Sequence, residues 1–146
     1  MYVHSSRLDE HGWHDFSDAS LDSAYGWIAG NATSDPYLEV HFPSKTWVAG
    51  LWTMGTTFDR GGLGVTMYRV EFNDGTSNRM QVAYNNETLS EEFEGGTDTC
   101  SAVGVWFAYV AGVKFLRIIP TKWITEHTFA NIQAPAMRVG VQICEP

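Results

Sequence analysis

The sequence predicts an all-β domain, and three observations lead to that fold class. Polar and apolar residues alternate within short segments, as in residues 37–42 (YLEVHF), which is typical of half-buried strands. An Asn-Asp-Gly triplet at residues 73–75 separates two such segments, and it favours a hairpin because these residues tolerate positive φ. No segment carries an apolar stripe at helical spacing. Many short strands with Gly, Pro and Asn turns between them indicate a sandwich or a barrel.

The predicted elements follow one another without a linker or an internal repeat. Residues 1–35 are polar and rich in Gly, Ser, Asp and Asn, which indicates long loops around short strands. Residues 37–42 form the half-buried strand, and the nearly all-apolar residues 46–54 predict a strand buried on both faces. Residues 66–84 form the predicted hairpin. Three further segments are rich in β-branched and aromatic residues, namely 103–110, 113–119 and 137–143. We therefore expect residues 1–146 to form a single domain.

Charge and composition exclude several classes of function. The chain has 146 residues, with 9 Lys and Arg against 17 Asp and Glu, and a net charge of -8. Nucleic acids and anionic membranes are bound by clustered Lys and Arg, so nucleic acid is not an expected partner and a membrane is a weak one. No apolar run approaches the roughly 18 residues that a membrane-spanning helix needs.

Motifs for catalysis are absent from the sequence. It contains no Gly-x-Ser-x-Gly, no His-Glu-x-x-His and no phosphate-binding loop. Glu91, Glu92 and Glu94 are expected to form a run on the surface rather than a catalytic pair in a cleft. Cys100 and Cys144 are not part of a Cys-x-x-Cys motif, which argues against a zinc site. We therefore expect a protein that is not an enzyme.

Residues 115–123 (FLRIIPTKW) place an arginine inside an apolar run that meets a proline and ends on a tryptophan. This segment resembles the C-terminal signature of the discoidin family, also called the coagulation factor 5/8 type C domain. Other segments resemble the family's motifs in the same order along nearly the whole chain. They are Ser5-Ser6 with Trp13, then YGWIAG, DPYLEVHF, VAGLWTMG, YRVEFNDG, FEGGTD and MRVGVQICE. The resemblance implies a jelly-roll β-sandwich of eight main antiparallel strands, with ligand-binding loops at one end.

Four residues of these motifs are expected to be structural. A guanidinium at Arg117 must be paired and hydrogen-bonded, because an unpaired buried charge costs several kcal/mol. The family usually has Asp where this chain has His41, so Glu39 becomes the candidate partner. Pro120 is expected to end its strand, since it has no N–H to donate. Trp123 is expected to pack over the end of the barrel, and Trp13 to lie in the core.

The resemblance places a binding face on three loops, at residues 7–14, 29–35 and 56–65. Family ligands include carbohydrates, anionic phospholipids, collagen and other proteins. Ten residues of these loops are the candidate ligand-binding residues, and they are Asp9, Glu10, His11, His14, Asn31, Asp35, Phe58, Asp59, Arg60 and Leu63. For each of them the alternative is an ordinary solvated loop residue, and Gly61, Gly62 and Gly64 are also explained by a tight hairpin.

Three ligand classes remain open for this face. Carbohydrate is favoured because the loops are polar, and because Tyr25 or Phe58 offers an aromatic ring on which a sugar can stack. An anionic membrane would be bound through Phe58, Leu63 and Arg60, but the net charge opposes it. A protein partner would contact the aromatic-containing residues 124–136. The sequence therefore favours an adhesion module that binds a glycan on a cell surface or in the matrix.

Cofactor, cysteine pairing and location are expectations that the resemblance carries. No cofactor is expected, although Asp18, Asp22 and Asn31 have the oxygen ligands that a structural calcium takes in some relatives. Cys144 occupies the family's second cysteine position while Cys100 does not correspond to a family position, so the two are not expected to pair. Most of the family works outside the cell. We expect an extracellular or cell-surface location within a larger secreted protein, with an intracellular relative as the alternative.

Overall fold

The computed structural model describes residues 2–4, 18–23, 25–30, 35–58, 61–76, 78–125 and 134–144. Over these residues it has nine β-strands and no helix, so it contains no helical segment that could cross a membrane. The strands are β1 (Tyr2–His4), β2 (Trp27–Ile28), β3 (Leu38–Met54), β4 (Thr56–Phe58), β5 (Gly61–Asn73), β6 (Gln81–Val82), β7 (Phe93–Glu94), β8 (Val103–Thr125) and β9 (Ala136–Ile143). The predicted all-β class is confirmed, with one strand more than the eight expected.

The strands form one curled antiparallel sheet. Its order is β2-β9-β3-β8-β5-β4, with β1 paired to β3 and with β6 and β7 paired to β5. Strands β4 and β5 also contact β9, so the two edges of the curled sheet approach each other and enclose the core. The long strands β3 and β8 run the length of the molecule and pair with each other over most of it.

Two pairs of predicted strands are in fact single, bulged strands. Residues 37–42 and 46–54 belong to β3, whose pairing with β8 shifts register between His41 and Thr46. Pro43 lies in this shift, where a residue without an N–H interrupts the ladder without ending the strand. Residues 103–110 and 113–119 likewise belong to β8. Residues 46–54 are not buried on both faces as predicted, because Trp47 and Trp52 are 39% and 41% exposed.

The expectation that Pro120 ends its strand was wrong. Strand β8 continues to Thr125, and the register with β5 shifts at the proline, since Tyr68 faces Pro120 while Met67 faces Lys122. Thr121, between these two residues of β8, therefore has no opposite residue in β5 and forms a bulge. A bulge is a position where a sheet tolerates proline. Trp123 is half-buried opposite Val65 and packs against the core.

The predicted Asn-Asp-Gly hairpin is confirmed. Gly75 has a φ of 85°, a conformation that side chains disfavour, and its N–H donates to the side chain of Asn73 at 2.7 Å. The returning strand is short, because β6 contributes only Gln81 and Val82, opposite Phe72 and Glu71.

The core is closed by a group of aromatic side chains. Tyr68 stacks on Phe93 with ring centroids 5.5 Å apart, and Phe93 meets Phe107 edge to face at 5.6 Å. Tyr68 and Phe93 are fully buried. This aromatic cluster lies where β5, β7 and β8 meet, and it forms the part of the core beneath these three strands.

The hydroxyl of Tyr68 is buried and has no hydrogen-bond partner among the described residues, and burial raises the pKa of Tyr68. We expect Tyr68→Phe to leave the free energy of unfolding unchanged or to raise it by about 1 kcal/mol, because it removes an unsatisfied buried polar group. Thermal unfolding beside the exposed control Tyr109→Phe measures this. A loss of stability specific to Tyr68→Phe would mean that the hydroxyl is bonded after all.

Candidate functional site

The predicted loop face falls mostly on residues that the structure does not describe. Asp9, Glu10, His11, His14, Asn31, Asp59 and Arg60 lie outside the described residues, and so does Trp13. Asp35 is exposed at the bend that precedes β3. Phe58 is described only in its backbone, as the last residue of β4.

Leu63 is not a surface residue, which corrects its assignment to the ligand-binding face. Its side chain is fully buried in the core, because β5 has already begun at Gly61. Leu63 lies between Thr56 of β4 and Thr125 of β8, so residues 56–58 and 61–63 are paired strands rather than parts of an open loop. Of Phe58 and Leu63, the two apolar side chains considered for membrane binding, Leu63 is therefore not available at the surface.

Arg117 is paired with Glu39, as the sequence predicted. Its Nε donates to Glu39 Oε2 at 2.7 Å, and its guanidinium lies 4.7 Å from the ring centre of Tyr37. Glu39 Oε1 also accepts a hydrogen bond from Nε2 of His41 at 2.8 Å. The arginine is less buried than expected, with 34% of its side chain exposed against 8% for Glu39. The buried carboxylate is thus the group that depends on the pairing.

We expect Arg117→Met to lower the free energy of unfolding by about 2 kcal/mol, because it strips the buried carboxylate of Glu39 of its main partner. This lies below the loss for a fully buried pair, since solvent screens the half-exposed guanidinium. The double variant Arg117→Met/Glu39→Leu should recover most of the loss. Urea unfolding beside Arg69→Met, a half-buried arginine on β5, provides the comparison. An unchanged midpoint for Arg117→Met would instead favour a ligand role.

A second arginine, Arg138, is more deeply buried and was missed by the sequence reasoning. It is 9% exposed, and all its recorded hydrogen bonds go to backbone carbonyls. Nε and Nη2 donate to Gly55 at 3.0 and 2.8 Å, and Nη2 also donates to Thr99 at 2.6 Å. Nη1 donates to Leu21 at 3.2 Å and to Ser23 at 3.4 Å. The available signal was the same as for Arg117, an arginine within an apolar strand.

Arg138 joins three segments at one end of the sheet. Leu21 and Ser23 precede the second predicted loop, and Gly55 immediately precedes the third. Thr99 follows Asp98 in the loop between β7 and β8. The N–H of Gly55 donates to the carbonyl of Asp98 at 2.9 Å, which attaches Gly55 to the same loop. Hydrogen bonds from the N–H of Cys100 and from the hydroxyl of Ser101 lower the pKa of the Asp98 carboxyl. Arg138 therefore ties residues 21–23, Gly55 and Thr99 to strand β9.

The described residues do not assemble the calcium site that the resemblance allowed. Asp18 accepts hydrogen bonds at Oδ1 from the N–H and the hydroxyl of Ser20, at 3.0 and 2.8 Å. Over the part of the chain that is described, no three metal-binding side chains converge. Asn31, the third candidate ligand, lies outside it. Both cysteines are exposed, and no bond joins Cys100 to Cys144.

A polar groove lies on the side of the sheet between the turn after β6 and the first part of β8. It consists of two adjoining depressions of about 330 and 420 Å³ that share Asn85, Glu87, Gly104 and Val105. The smaller is completed by Asn86 and Trp106. The larger is completed by Met67, Thr88, Ser90, Glu92, Glu94 and Val103. We call these residues together the polar groove.

The turn on one wall of the polar groove is held by its own backbone. The N–H of Leu89 donates to the carbonyl of Asn85 at 2.7 Å, and the N–H of Glu87 donates to the Asn85 side chain at 2.9 Å. The N–H of Asn86 donates to the carbonyl of Trp106 at 3.0 Å, which ties the turn to β8. The wall is therefore preformed, while the carboxylate of Glu87 stays exposed to solvent.

The opposite wall carries an exposed indole. Trp106 is 56% exposed, which is unusual for a tryptophan on a strand that packs against a core. Beside it Gly104 lines both depressions, and the space that its side chain would take is occupied by the indole of Trp52. A large aromatic ring facing solvent next to hydrogen-bonding side chains is an arrangement that binds ligands with one apolar face and several hydroxyls.

Strand pairing brings two glutamates into the polar groove. Glu94 lies opposite Met67 because β7 pairs with β5, and Glu92 precedes that strand. Glu92 and Glu94 were expected to form a surface run rather than a catalytic pair in a cleft. They are exposed, but both line the groove, whereas Glu91 does not. The sequence could not show this, because the groove forms only where β7, paired with β5, lies next to β8.

Comparisons with known proteins identify the fold. No family model matches the sequence, and no curated protein matches it. Among solved structures, chitosan-binding module 2 of a chitosanase/glucanase from Paenibacillus sp. IK-5, in complex with chitotriose, has a TM-score of 0.63 at 14% identity and covers 97% of this chain and 95% of its own. Module 1 of the same enzyme has a TM-score of 0.61 at 13% identity, with 97% and 92% covered.

A third solved structure has the same architecture. It is a CBM32 module of Clostridium perfringens in complex with GlcNAc-α-1,4-galactose, with a TM-score of 0.54 at 14% identity and with 97% and 89% of the two chains covered. CBM32 modules are discoidin-like jelly-roll sandwiches. The predicted discoidin-like fold is therefore confirmed.

Proposed function

We propose that this discoidin-like β-sandwich is a non-catalytic carbohydrate-binding module, and that the polar groove is its binding site. The observation that carries the proposal is the exposed indole of Trp106 beside the preformed polar turn that contains Asn86 and Glu87. A pyranose ring offers C–H groups to an aromatic face and hydroxyls to amides and carboxylates, so both halves of this surface have a use.

The similar solved structures support the ligand class. Two of them hold oligosaccharides, chitotriose in one and GlcNAc-α-1,4-galactose in the other. A groove of two adjoining depressions suits an oligosaccharide better than a single sugar, because adjacent units can occupy both. The burial of Leu63 weakens the membrane-binding alternative.

The proposal includes where the protein works. We place it outside the cell or on a cell surface, where glycans of the surface or matrix are its partners and adhesion is its role. The reason is the resemblance to a family that mostly works there. A single shallow groove buries little ligand, so the affinity of one domain is expected to be modest.

A glycan array with the intact chain tests the function, and Trp106→Ala tests the site. We expect the wild-type chain to bind oligosaccharides, and Trp106→Ala to weaken binding about tenfold or more through loss of the stacking surface. Trp47→Ala is the matched control, because Trp47 is also exposed on β3 but does not line the groove.

Each other outcome rejects a stated part of the proposal. Wild-type binding that survives Trp106→Ala would reject the polar groove as the site and return attention to His11 and His14 of the predicted loop face. Absence of binding to any glycan on the array would reject the carbohydrate function itself.

A further inference from the structure

We propose that Asn86 is the acceptor of an N-linked glycan, and that the first sugar of this glycan stacks on the indole of Trp106 and closes the polar groove. The modification and the stacking go beyond the proposed function and do not depend on it. The closure rests on the proposed function, because only a groove that binds free glycans has such binding to lose.

The turn on one wall of the polar groove contains an acceptor sequence for N-glycosylation. Residues 86–88 (NET) are an Asn-x-Thr triplet whose middle residue is not proline. All three residues are exposed and form the turn itself, so a bulky hydrophilic group attached there displaces no packed side chain. Such triplets arise often by chance, so the surroundings of the Asn86 amide are the deciding observation.

The two adjacent asparagines of this turn have different surroundings. Asn85 is half-buried, and its side chain holds the turn together. Its Oδ1 accepts the N–H groups of Glu87 and Thr88 at 2.9 and 3.4 Å, and its Nδ2 donates to the carbonyl of Glu92 at 3.3 Å. The side chain of Asn86 is exposed and makes no hydrogen bond to a described residue. Its Nδ2 is therefore available for a covalent bond without the loss of an existing contact.

Strand pairing places Asn86 beside Trp106. Asn85 forms an isolated antiparallel bridge with Phe107, and the N–H of Asn86 donates to the carbonyl of Trp106 at 3.0 Å. Successive residues of an extended segment point to opposite faces. Phe107 is buried in the core, so Trp106 and Asn86 lie on the outer face, where both line the smaller depression. Opposite residues of an antiparallel pair have Cβ atoms about 4.5–5.5 Å apart, so a sugar attached to the amide can reach the indole.

The modification is the transfer of an oligosaccharide from a lipid diphosphate. Nδ2 of Asn86 forms a bond to C1 of the first sugar, and the bond between C1 and the diphosphate oxygen breaks. The lipid diphosphate leaves with the bonding electron pair, and the amide nitrogen gives one of its two protons to a base of the transferase. Nothing is oxidised or reduced. The hydroxyl of Thr88 completes the acceptor sequence, and Thr88 is exposed.

The covalent bond holds the first sugar next to the indole. A free sugar loses translational and rotational freedom when it binds, but an attached sugar has already lost most of it, so even a weak contact is populated. Trp106 is 56% exposed, and a pyranose has a face of C–H groups that packs on an aromatic ring. The smaller depression, of about 330 Å³, has room for a sugar unit. A sugar that occupies it excludes a free glycan from the same indole.

Secretion of the full chain from eukaryotic cells, behind a cleavable signal peptide, tests the modification. Enzymatic release of the glycan in heavy-oxygen water converts each occupied asparagine to labelled aspartate, which peptide mass mapping locates. We expect the label at Asn86 and not at Asn85. Thr88→Ser should retain the modification and Thr88→Ala should abolish it, because the hydroxyl is what the acceptor sequence requires. A secreted chain without the label at Asn86 would overturn the proposal.

Thermal unfolding tests the contact between the sugar and Trp106. Each protein carries Asn31→Gln, which removes the other Asn-x-Thr triplet of the sequence. An endoglycosidase trims the glycan to one sugar, and the reference is the same sequence made in bacterial cells without this pathway. The single sugar should raise the Tm by about 2–4 °C. Trp106→Ala should remove this difference, whereas Trp47→Ala, at another exposed indole, should retain it. A rise that survives Trp106→Ala would reject the stacking.

The glycan array tests the closure of the polar groove. The chain that carries the single sugar should bind about tenfold more weakly than the chain made in bacterial cells, and equal binding would reject the closure. If Asn86 is unmodified while the bacterial chain binds glycans, the acceptor site is rejected and the proposed function stands. If Asn86 carries the stacked sugar while the bacterial chain binds no glycan, the proposed function is rejected and the modification stands.

Discussion

Replacing Arg138 with methionine is expected to lower the free energy of unfolding by about 3–5 kcal/mol. The methionine fills much of the volume but donates nothing, so the carbonyls of Gly55, Thr99, Leu21 and Ser23 lose a shared donor in a region that is largely closed to water. Domains of this size are commonly stable by about 5–15 kcal/mol, so the variant should be close to unfolding at elevated temperature. Chemical denaturation measures the change.

Two further variants sharpen this test. Arg138→Lys keeps the charge but not the planar fork of donors that reaches three segments at once, so it should recover only part of the loss. Lys122→Met removes an exposed cation from β8 and should change the midpoint little. If Arg138→Met behaved like Lys122→Met, the carbonyl contacts would have to be regarded as incidental.

Gly50→Ala is the second change with a large expected effect, a loss of about 3 kcal/mol at the upper end of what overpacking costs. The added methyl would overlap the carbonyl oxygen of Val105 and lie 3.1 Å from the Cα of Trp106. Gln142 closes the remaining side, because its Nε2 donates to the same Val105 oxygen at 2.9 Å. Backbone atoms of β8 cannot give way without moving the strand.

The matched control is Gly104→Ala, where the three atoms nearest to an added methyl belong to the side chain of Trp52, at 2.7–2.9 Å. That indole is 41% exposed and can rotate away, so the expected loss is below about 1 kcal/mol. Val105 and Trp106 also line the polar groove, so Gly50→Ala should weaken glycan binding together with stability. Equal stabilities for the two alanine variants would contradict the tight approach at Gly50.

The fold class and the order of the motifs were predictable because they depend on local patterns. Alternation in residues 37–42 and the turn chemistry of residues 73–75 involve only a few neighbours in the chain, and both the strand and the hairpin are confirmed, although Glu39 is buried rather than on a solvent face. The pairing of Arg117 with Glu39 was also predictable, since a charge within an apolar strand needs a partner on an adjacent strand. The discoidin-like fold, which this chain shares with the similar solved structures, was predicted from the order of its motifs.

Strand ends and surface positions were less predictable. Pro120 was expected to end its strand, but a bulge accommodates it, because a residue without an N–H is tolerated where the partner strand shifts register. Leu63 was expected at the surface, but the early start of β5 places it between two strands with its side chain in the core. Local composition does not record which partner a strand will find.

What the sequence by itself determined is therefore the all-β class, its motif order and the need to pair Arg117. The position and lining of the polar groove, and the carbonyl contacts of Arg138, were decided only by the tertiary structure. The groove needs Glu94 beside Met67 and Asn86 beside Trp106, and Arg138 needs Leu21, Gly55 and Thr99. These groups are far apart in the chain, and each is ordinary in its local context. Their chemistry arises only because antiparallel pairing brings them within hydrogen-bonding distance.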